Sequence, residues 1–322
     1  MRAPFQLDLH VPDFNWPDTT PETFFDRLTE IATTAEASGF SSISMMDHLH
    51  QIPGVGPEEN WMMEGNAILA ALAARTSSIH LGLLVGGVTY RNPALMAKQT
   101  TTIDIISRGR AVLSLGAAWF EGEHRAYGID FPPLKERFER LEDALNIARL
   151  MFTRERATYE GKHHSVHGAY NNPKPIRGDI PILIGGSGER KTLRFVAKYA
   201  DGSNLFGDLE RVKHLLGVLE GHCEDVGRDP AEITKTRQSQ VYIAPTHEAA
   251  SAKLDRALAA AADPDRLRLG AIAGEPDEVA SQVQAYLDTG LDGLTITLPD
   301  VHDLETVALA GETLGAVIGT RA

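Results

Sequence analysis

Residues 179–202 read DIPILIGGSGERKTLRFVAKYADG, which joins an apolar run, a glycine-rich turn and an amphipathic segment. The apolar run predicts a strand, and the segment after Gly188 predicts a helix. Glycines let the backbone turn tightly and bring its N–H groups close to an anion, and the start of a helix adds its positive dipole end. The unit therefore predicts a phosphate-binding site, with a tight turn that needs glycine for steric reasons alone as the open alternative.

The composition is that of an ordinary globular protein, because 43% of the 322 residues are hydrophobic and 23% are charged. The formal net charge of −13 argues against nucleic acid as a partner. The single cysteine, Cys223, excludes an intrachain disulfide and fits a reducing compartment. The sequence shows neither a signal-peptide core nor an apolar run of membrane-spanning length, so we expect a cytoplasmic protein with no membrane partner.

Strand-like and helix-like segments alternate along the whole chain. Eight segments have the short apolar pattern of buried strands, namely residues 5–11, 41–46, 79–85, 111–116, 180–184, 200–206, 234–244 and 293–298. The segments between and after them have helical spacing, namely residues 21–39, 66–75, 93–107, 134–152, the stretch after 188, 209–226, 247–262, the stretch from 276, and 303–318. Residues 117–133, 153–176 and 263–274 are expected to be irregular.

Eight strands that are each followed by a helix predict an α/β fold, a (β/α)8 TIM barrel with insertions at the C-terminal face of the barrel. We expect one domain over residues 1–322, because no low-complexity linker divides the chain. An open doubly wound sheet is the alternative, but it would place its glycine fingerprint after the first strand. The sequence there is HVPDFNWPD, which contains no glycine.

Barrel enzymes carry their chemistry on the loops after the carboxyl ends of the strands. Four such loops hold unusual residues: DHLH from Asp47, GGVTYRNP from Gly86, GAAWFE from Gly116, and the glycine-rich turn from Gly185. We therefore expect these four loops to meet at one face of the barrel.

Four motifs in this order resemble the bacterial luciferase-like superfamily, particularly its deazaflavin (coenzyme F420)-dependent oxidoreductases: MMDHLHQIP, TYRNPALMAKQTTTIDIISRGR, GAAWFEGEHRAYGIDFPPLKERFERLEDAL and GEPDEVASQVQAYLDTGLDGL. The resemblance covers nearly the whole chain. It implies a barrel with an insertion near its mouth, commonly a homodimer. It implies hydride transfer between C5 of coenzyme F420 and a small organic substrate, with FMN as the alternative cofactor.

The resemblance also implies roles for residues after the second and third strands. Asp47 and His48 match the pair that approaches the deazaflavin ring, and the imidazole of His48 is the candidate for proton transfer at the substrate oxygen. Leu84 and Val85 match a non-prolyl cis peptide that presses against one face of the ring. Gly86 follows at the same strand end.

Further matches lie after the fourth and fifth strands. Gly116, Ala117 and Ala118 match positions near the ring and the start of the cofactor tail. Trp119 stands where some members carry an acid, which argues against an acid donor at this position. It is expected to form a wall of the substrate pocket, with simple packing beside the loop as the alternative. The contacts to the phosphate of the tail match a run of five positions, Ile184, Gly185, Gly186, Ser187 and Gly188. Lys191 and Arg194 add charge nearby or are surface residues.

Several other residues receive weaker interpretations. The acids Glu121 and Glu123 could reach the mouth of the barrel but are more typical of a solvated loop, and His50 is expected to face solvent. The histidines of GKHHSVHG, from His163 to His167, are more typical of a strand pair or lid than of a metal site, because no cysteine or nearby acid completes a ligand set. The substrate pocket is expected to include Trp16, Trp61, Met62 and residues 153–176 in addition to Trp119.

Three other functions remain open from the sequence. An FMN-dependent monooxygenase on the same barrel is the nearest alternative. A flavin- or deazaflavin-binding protein without catalysis belongs to a different class. A sugar-phosphate enzyme would use the same phosphate site, but no lysine or paired carboxylates at the strand ends support it.

Overall fold

In a computed structural model, residues 3–319 are described. Twelve strands are present in this part, namely β1 Leu7–Val11, β2 Ser42–Met45, β3 His80–Leu83, β4 Gly86–Gly87, β5 Ala111–Gly116, β6 Arg156–Glu160, β7 Ser165–Tyr170, β8 Ile182–Gly185, β9 Gly202–Leu205, β10 Thr234–Ile243, β11 Ile272–Gly274 and β12 Gly293–Thr297. Eleven α-helices accompany them, namely α1 Phe24–Ser38, α2 Gly65–Ala73, α3 Pro93–Ser107, α4 Glu121–Ala126, α5 Leu134–Thr153, α6 Thr192–Tyr199, α7 Leu209–Val226, α8 His247–Ala260, α9 Pro264–Gly270, α10 Pro276–Leu287 and α11 Leu304–Gly319.

The main sheet is a closed barrel of eight parallel strands in the order β1, β2, β3, β5, β8, β9, β10 and β12, and β12 pairs with β1 again. Leu9 of β1 stands opposite Ile43 of β2 on one side and Ile296 of β12 on the other. The barrel strands are buried because helices cover their outer faces. The predicted (β/α)8 fold and its eight strands are thereby confirmed.

Local sequence signals explain why the helices begin and end where they do. The side chain of Asn92 accepts hydrogen bonds from the N–H groups at the start of α3, Pro93 is its first residue, and Arg108 ends it in the left-handed conformation. Helix α10 starts with a capping box between Glu275 and Glu278. These caps carry local information, so the predicted bounds of α3 and α7 agree with the structure.

The structure corrects several boundaries. Helix α1 begins at Phe24, because the residues just before it form a turn, and α6 begins only at Thr192, after a turn that follows Gly188. Residues 117–133 and 263–274, expected to be irregular, contain α4, α9 and β11. Residues 153–176 contain the antiparallel hairpin β6–β7, which confirms the strand pair expected around residues 163–167. Strand β11 pairs with the outer part of β10 and stays outside the closed barrel.

The interior of the barrel contains a polar network on its first two strands. Both carboxylate oxygens of Asp8 accept hydrogen bonds, from Ser42 Oγ at 2.8 Å and from Ser44 Oγ at 2.6 Å. The ring of His10 bonds to Ser44 Oγ through Nδ1 at 3.0 Å. Burial raises the pKa of Asp8 to about 6, although the hydrogen bonds from Ser42 and Ser44 act in the opposite direction. Burial lowers the pKa of His10 to about 4. The barrel interior is therefore polar where β1 pairs with β2.

Within residues 3–319, no helix is both long and apolar enough to cross a membrane. The thiol of Cys223 is buried in α7, as predicted for a packed cysteine.

Candidate active site

A cavity of about 340 Å³ opens at the carboxyl ends of the barrel strands. Its walls come from the ends of six strands and from the starts of α5 and α6. The lining residues are Asp47, His48, Leu84, Val85, Gly86, Gly87, Tyr90, Gly116, Ala117, Ala118, Trp119, Leu134, Phe138, Gly185, Gly186, Thr192, Asn204, Phe206 and Gln238. The four loops singled out in the sequence therefore meet at one cavity.

His48 is held by a buried carboxylate. Its Nδ1 atom lies 2.9 Å from Oε2 of Glu123, whose side chain is fully buried in α4. Because Nδ1 is engaged, Nε2 is the ring nitrogen left for chemistry in the cavity. Trp119 and Phe120 pack edge-on against the same ring, with centroid distances of 5.7 Å and 6.2 Å.

Glu123 receives hydrogen bonds from three further groups. The backbone N–H groups of Leu49 and His50 donate to Oε1, the second over 3.2 Å, and the hydroxyl of Tyr90 donates to Oε2. Burial opposes the charge on Glu123, but the hydrogen bonds from His48, Tyr90 and Leu49 outweigh it and lower the pKa of Glu123 to about 2. Burial and the neighbouring Glu123 raise the pKa of Tyr90. The carboxylate is therefore ionised and fixed in place.

The solvated loop expected around Glu123 is wrong, because this residue lies on the buried side of α4. His124 fixes that helix through a bond from Nδ1 to the carbonyl of Phe120 at 2.8 Å and a bond from Nε2 to the hydroxyl of Thr89 at 2.6 Å. Glu121 does lie on the exposed side, where it pairs with Arg125. His50 is also not a surface residue, because its ring packs against Phe120 with a centroid distance of 5.3 Å and its side chain is 14% exposed.

Asp47 ties two of the loops together. Its Oδ2 atom accepts from the N–H of Gly87 at 2.9 Å, and both carboxylate oxygens accept from Arg91 at 2.7 Å and 2.8 Å. Arg91 also bonds to Glu64. Burial raises the pKa of Asp47, while the guanidinium of Arg91 and the N–H of Gly87 act in the opposite direction. Both oxygens of Asp47 are therefore engaged within the protein, and Oδ2 holds the backbone of Gly87.

The backbone of the loop after β5 is strained where it enters the cavity. Ala118 has φ 57°, in the left-handed region that costs an alanine about 1 kcal/mol. The guanidinium of Arg137 bonds to the carbonyl oxygens of Ala117, at 3.4 Å, and Ala118, and stacks over Phe131. This contact holds the loop in the conformation that places Trp119 at the cavity.

Glycines allow the strand ends to close around Val85. A Cβ atom on Gly185 would lie 2.7 Å from Cγ1 of Val85, and one on Gly116 would lie 2.8 Å from its Cγ2. The peptide bond between Leu84 and Val85 is cis, as the resemblance implies. Side chains other than hydrogen at these two positions would therefore displace the wall formed by Val85.

Less of the glycine-rich turn lines the cavity than the sequence predicts. Gly185 and Gly186 line the cavity, whereas Ile184, Ser187 and Gly188 do not. The N–H of Gly186 donates to the carbonyl of Asn204 at 3.1 Å, and the hydroxyl of Ser187 accepts from the N–H of Phe206 at 2.8 Å. These groups bind within the protein, so the phosphate role of this turn stays a prediction.

Only some of the residues expected in the substrate pocket line the cavity. Trp119 lines the cavity, but Trp16 stacks on Phe24 in the core, and neither Trp61 nor Met62 is a lining residue. The hairpin β6–β7 packs along α5, where His163 Nε2 bonds to Glu139 at 3.0 Å, and residues 153–176 do not line the cavity.

Sequence reasoning missed several wall residues, namely Tyr90, Leu134, Phe138, Thr192, Asn204, Phe206 and Gln238. Asn204 and Gln238 had a usable signal, because each is a polar residue within a predicted buried strand. Among residues 3–319, no three potential metal-ligating side chains come together. The absence of a metal cofactor stays a prediction.

A closed (β/α)8 barrel whose strand ends surround one cavity with a carboxylate–histidine pair has the architecture of a barrel enzyme. A family model described as luciferase-like monooxygenase matches residues 6–293, and the chain belongs to this family.

Two sequence relatives and one solved structure show what this chain is similar to. An F420-dependent glucose-6-phosphate dehydrogenase of Microbacterium testaceum is 30% identical over 313 residues, covering 87% of this chain and 89% of that protein. The enzyme of the same name from Segniliparus rotundus is 28% identical over 86% of this chain and 89% of its own length. The structure of the coenzyme F420-dependent tetrahydromethanopterin reductase of Methanopyrus kandleri covers 97% of this chain and 99% of that chain, with a TM-score of 0.77 and 18% identity, which is a likeness of fold alone.

Proposed function

We propose that this chain is an F420-dependent oxidoreductase that transfers a hydride between C5 of the deazaflavin and an organic substrate. The observation that carries the proposal is the fixed His48–Glu123 pair at the wall of the strand-end cavity. Relatives that are 28–30% identical over most of their length are named as F420-dependent dehydrogenases, which supports the same chemistry here.

The lining of the cavity fits a flat heterocycle. Val85 and Leu84 offer an apolar wall, and Gly116 and Gly185 allow the strand ends to close tightly around Val85. Asn204 has a buried Oδ1 atom without a hydrogen-bond partner, which can accept from the N–H of the pyrimidine part of a deazaflavin. When bound, the deazaflavin supplies or accepts the hydride. The groups on this chain bind and orient that ring.

The cofactor-binding residues are proposed in two sets. The first set lines the cavity and would contact the ring and the start of the tail, namely Asp47, Leu84, Val85, Gly86, Gly116, Ala117, Ala118, Gly185 and Gly186. The second set is the neighbouring run Ile184, Ser187 and Gly188, for which the resemblance is the support.

His48 is the proposed catalytic residue. Glu123 is ionised and accepts from Nδ1–H, so Nε2 is free to exchange a proton with a substrate oxygen. Glu123 is a positioning residue, because it acts through His48 and through the backbone of Leu49 and His50.

The proposal also covers the domain organisation, the oligomeric state and the cellular location. One domain spans residues 1–322, supported by the closure of all eight barrel strands into one sheet. The enzyme is a homodimer, supported by the resemblance and by Leu95 and Ile106, which α3 exposes. It works in the cytoplasm, supported by a single buried cysteine.

Cofactor titration tests the central proposal. The purified protein is titrated with coenzyme F420 and, separately, with FMN, and the fluorescence of each ring is followed. We expect saturable binding of F420 and at least tenfold weaker binding of FMN. Tight FMN binding without affinity for F420 would instead support an FMN-dependent monooxygenase.

A further inference from the structure

The side chain of Asn204 on β9 presents a buried hydrogen-bond acceptor to the cavity. Asn204 is 1% exposed and lines the cavity, and its Oδ1 atom has no hydrogen-bond partner among residues 3–319. An acceptor that is buried without a partner is costly, because it has lost its bond to water and gained none in return. At the wall of a cavity, such an atom indicates a ligand that donates a hydrogen bond.

The other end of the same amide is fully used inside the barrel. The Nδ2 atom of Asn204 donates to Oγ1 of Thr236 at 2.9 Å and to Oγ1 of Thr295 at 3.0 Å, which uses both of its hydrogens. The two threonines are fully buried on the neighbouring strands β10 and β12. The NH₂ group therefore faces the barrel interior, and Oδ1 is left for the cavity.

The two hydroxyl groups permit only this orientation, because each has a single hydrogen to donate. Thr236 donates its hydrogen to the carbonyl oxygen of Ser203 at 3.2 Å. Thr295 stands opposite Asp8 in the register of β1 and β12, and its hydroxyl forms a hydrogen bond with that carboxyl group. Both hydroxyl oxygens can then only accept, which requires the NH₂ group of Asn204 to face them.

Asp8 sets the direction of the Thr295 hydroxyl. Burial raises the pKa of Asp8 to about 6, so at pH 8 the carboxyl group is ionised and can only accept hydrogen bonds. If the amide of Asn204 were turned over, the hydroxyls would have to donate to Oδ1 instead. The carboxylate and the carbonyl of Ser203 would then each lose a buried donor, which is unfavourable.

We infer, on the basis of the proposed function, that Asn204 is a further cofactor-binding residue, whose Oδ1 atom accepts a hydrogen bond from the pyrimidine N–H of the deazaflavin. Thr236 and Thr295 are positioning residues, because their hydroxyls hold the amide in the orientation that makes this bond. A ring without an N–H group at this edge leaves Oδ1 buried and unpaired.

A double-mutant cycle tests the contact. The probes are F420 and an F420 derivative whose pyrimidine N–H is methylated, and the Kd of each is measured at pH 8 by ring fluorescence. In the original protein, we expect methylation to weaken binding about tenfold or more. In Asn204→Leu, F420 should bind about tenfold more weakly, and methylation should cost less than about threefold further.

Leucine keeps much of the volume of asparagine, so a purely steric effect of the added methyl group would persist in Asn204→Leu. Asn146→Leu is the matched control, because Asn146 lies on α5, bonds to the carbonyl of Glu142 and does not line the cavity. It should show the same two Kd values as the original protein.

Two substitutions at Thr236 separate its hydroxyl from its methyl group. Thr236→Val keeps the shape and removes the hydroxyl, so F420 should bind about three- to tenfold more weakly. Thr236→Ser keeps the hydroxyl and should bind F420 within about twofold of the original protein. A role in packing alone would give the reverse order. Urea unfolding is measured first, so that only folded variants are compared.

The orientation of the amide is also measured without cofactor. In ¹⁵N NMR spectra, the side-chain amide signal of Asn204 is identified by its absence from Asn204→Leu. Both of its protons should be protected from exchange and should show NOEs to Thr236 and Thr295. In Thr236→Val, at least one of them should exchange about tenfold faster.

Three results would each overturn the inference: an equal cost of methylation in the original protein and Asn204→Leu, weaker F420 binding in Thr236→Ser than in Thr236→Val, or freely exchanging amide protons. Failure of the proposed function gives a different result, because the original protein would then not bind F420. If F420 binds with an affinity that methylation does not change, only the role of Asn204 is wrong.

Discussion

The Nδ1 atom of His48 lies 2.9 Å from Oε2 of Glu123, which is 75 positions further along the chain. This contact joins the loop after β2 to α4 and selects the ring nitrogen that is free for chemistry. Tyr90, from a third loop, donates to the same oxygen of Glu123. The orientation of the proposed catalytic histidine therefore depends on three loops at once.

Replacement of His48 separates binding from catalysis. In His48→Ala, we expect F420 affinity within about threefold of the original protein and turnover lowered by roughly 10²–10⁴-fold, because a positioned acid–base group contributes that much. Fluorescence titration and steady-state kinetics give the two values. His163→Ala, on the hairpin β6–β7, is the matched control and should change neither. Turnover that survives in His48→Ala would remove His48 from the mechanism.

Neutralising Glu123 should act through His48. Glu123→Gln keeps the size of the side chain but loses the charge that favours Nδ1–H, so we expect kcat to fall about tenfold or more with a smaller change in KM. The pH profile of kcat should also move, which a purely structural role would not require. Glu121→Gln, exposed on the same helix, is the control. Equal kcat values and pH profiles for the two variants would contradict the positioning role.

A methyl group at Gly185 tests the wall formed by Val85. In Gly185→Ala, the new Cβ would meet Cγ1 of Val85 at 2.7 Å, so either Val85 or the strand end must move. We expect F420 affinity to fall about tenfold, measured by ring fluorescence. Gly217→Ala carries the same substitution on α7, where nothing lies within 4 Å, and should leave the affinity unchanged. Unaltered F420 binding in Gly185→Ala would place the ring elsewhere.

The buried Asp8 should make stability depend on pH. Burial raises its pKa from the ordinary value of 3.8 to about 6 in the folded barrel, so the fold favours the protonated carboxyl. The stability from this group is fully present below about pH 4 and is lost as the pH rises through 6, a difference of roughly 3 kcal/mol. Urea unfolding at pH 4 and pH 7 should therefore show a smaller loss in Asp8→Asn than in the original protein. The same loss in both would mean that Asp8 titrates normally.

The sequence predicted the fold well because its signals are local. Strand periodicity and helix caps such as Asn92 and Pro93 act within a few residues, so they are readable without the rest of the chain. Trp16 was misplaced into the substrate pocket, since the same apolar character fits a core residue that stacks on Phe24.

The site was predicted only in part, because it depends on contacts between distant segments. Nothing near Glu123 in sequence indicates that its partners are His48 and Tyr90. The binding of the Gly186 N–H to the carbonyl of Asn204 is equally invisible, since it follows from the pairing of β8 with β9. Packing between segments that are distant in the sequence determines the contacts of both Glu123 and Gly186.

The loop after β5 places Trp119 and Glu123 within a few residues of each other but in opposite environments. Trp119 is exposed at the rim, whereas Glu123 is buried behind His48. Trp119 packs edge-on against the ring of His48 at a centroid distance of 5.7 Å, so a change at Trp119 also changes the surroundings of the proposed catalytic histidine. Leu134 and Phe206 are the rim positions that a protein engineer can vary first. The loop after β5 is therefore not a modular unit, because redesign of its exposed residue Trp119 also acts on the histidine that its buried residue Glu123 holds in place.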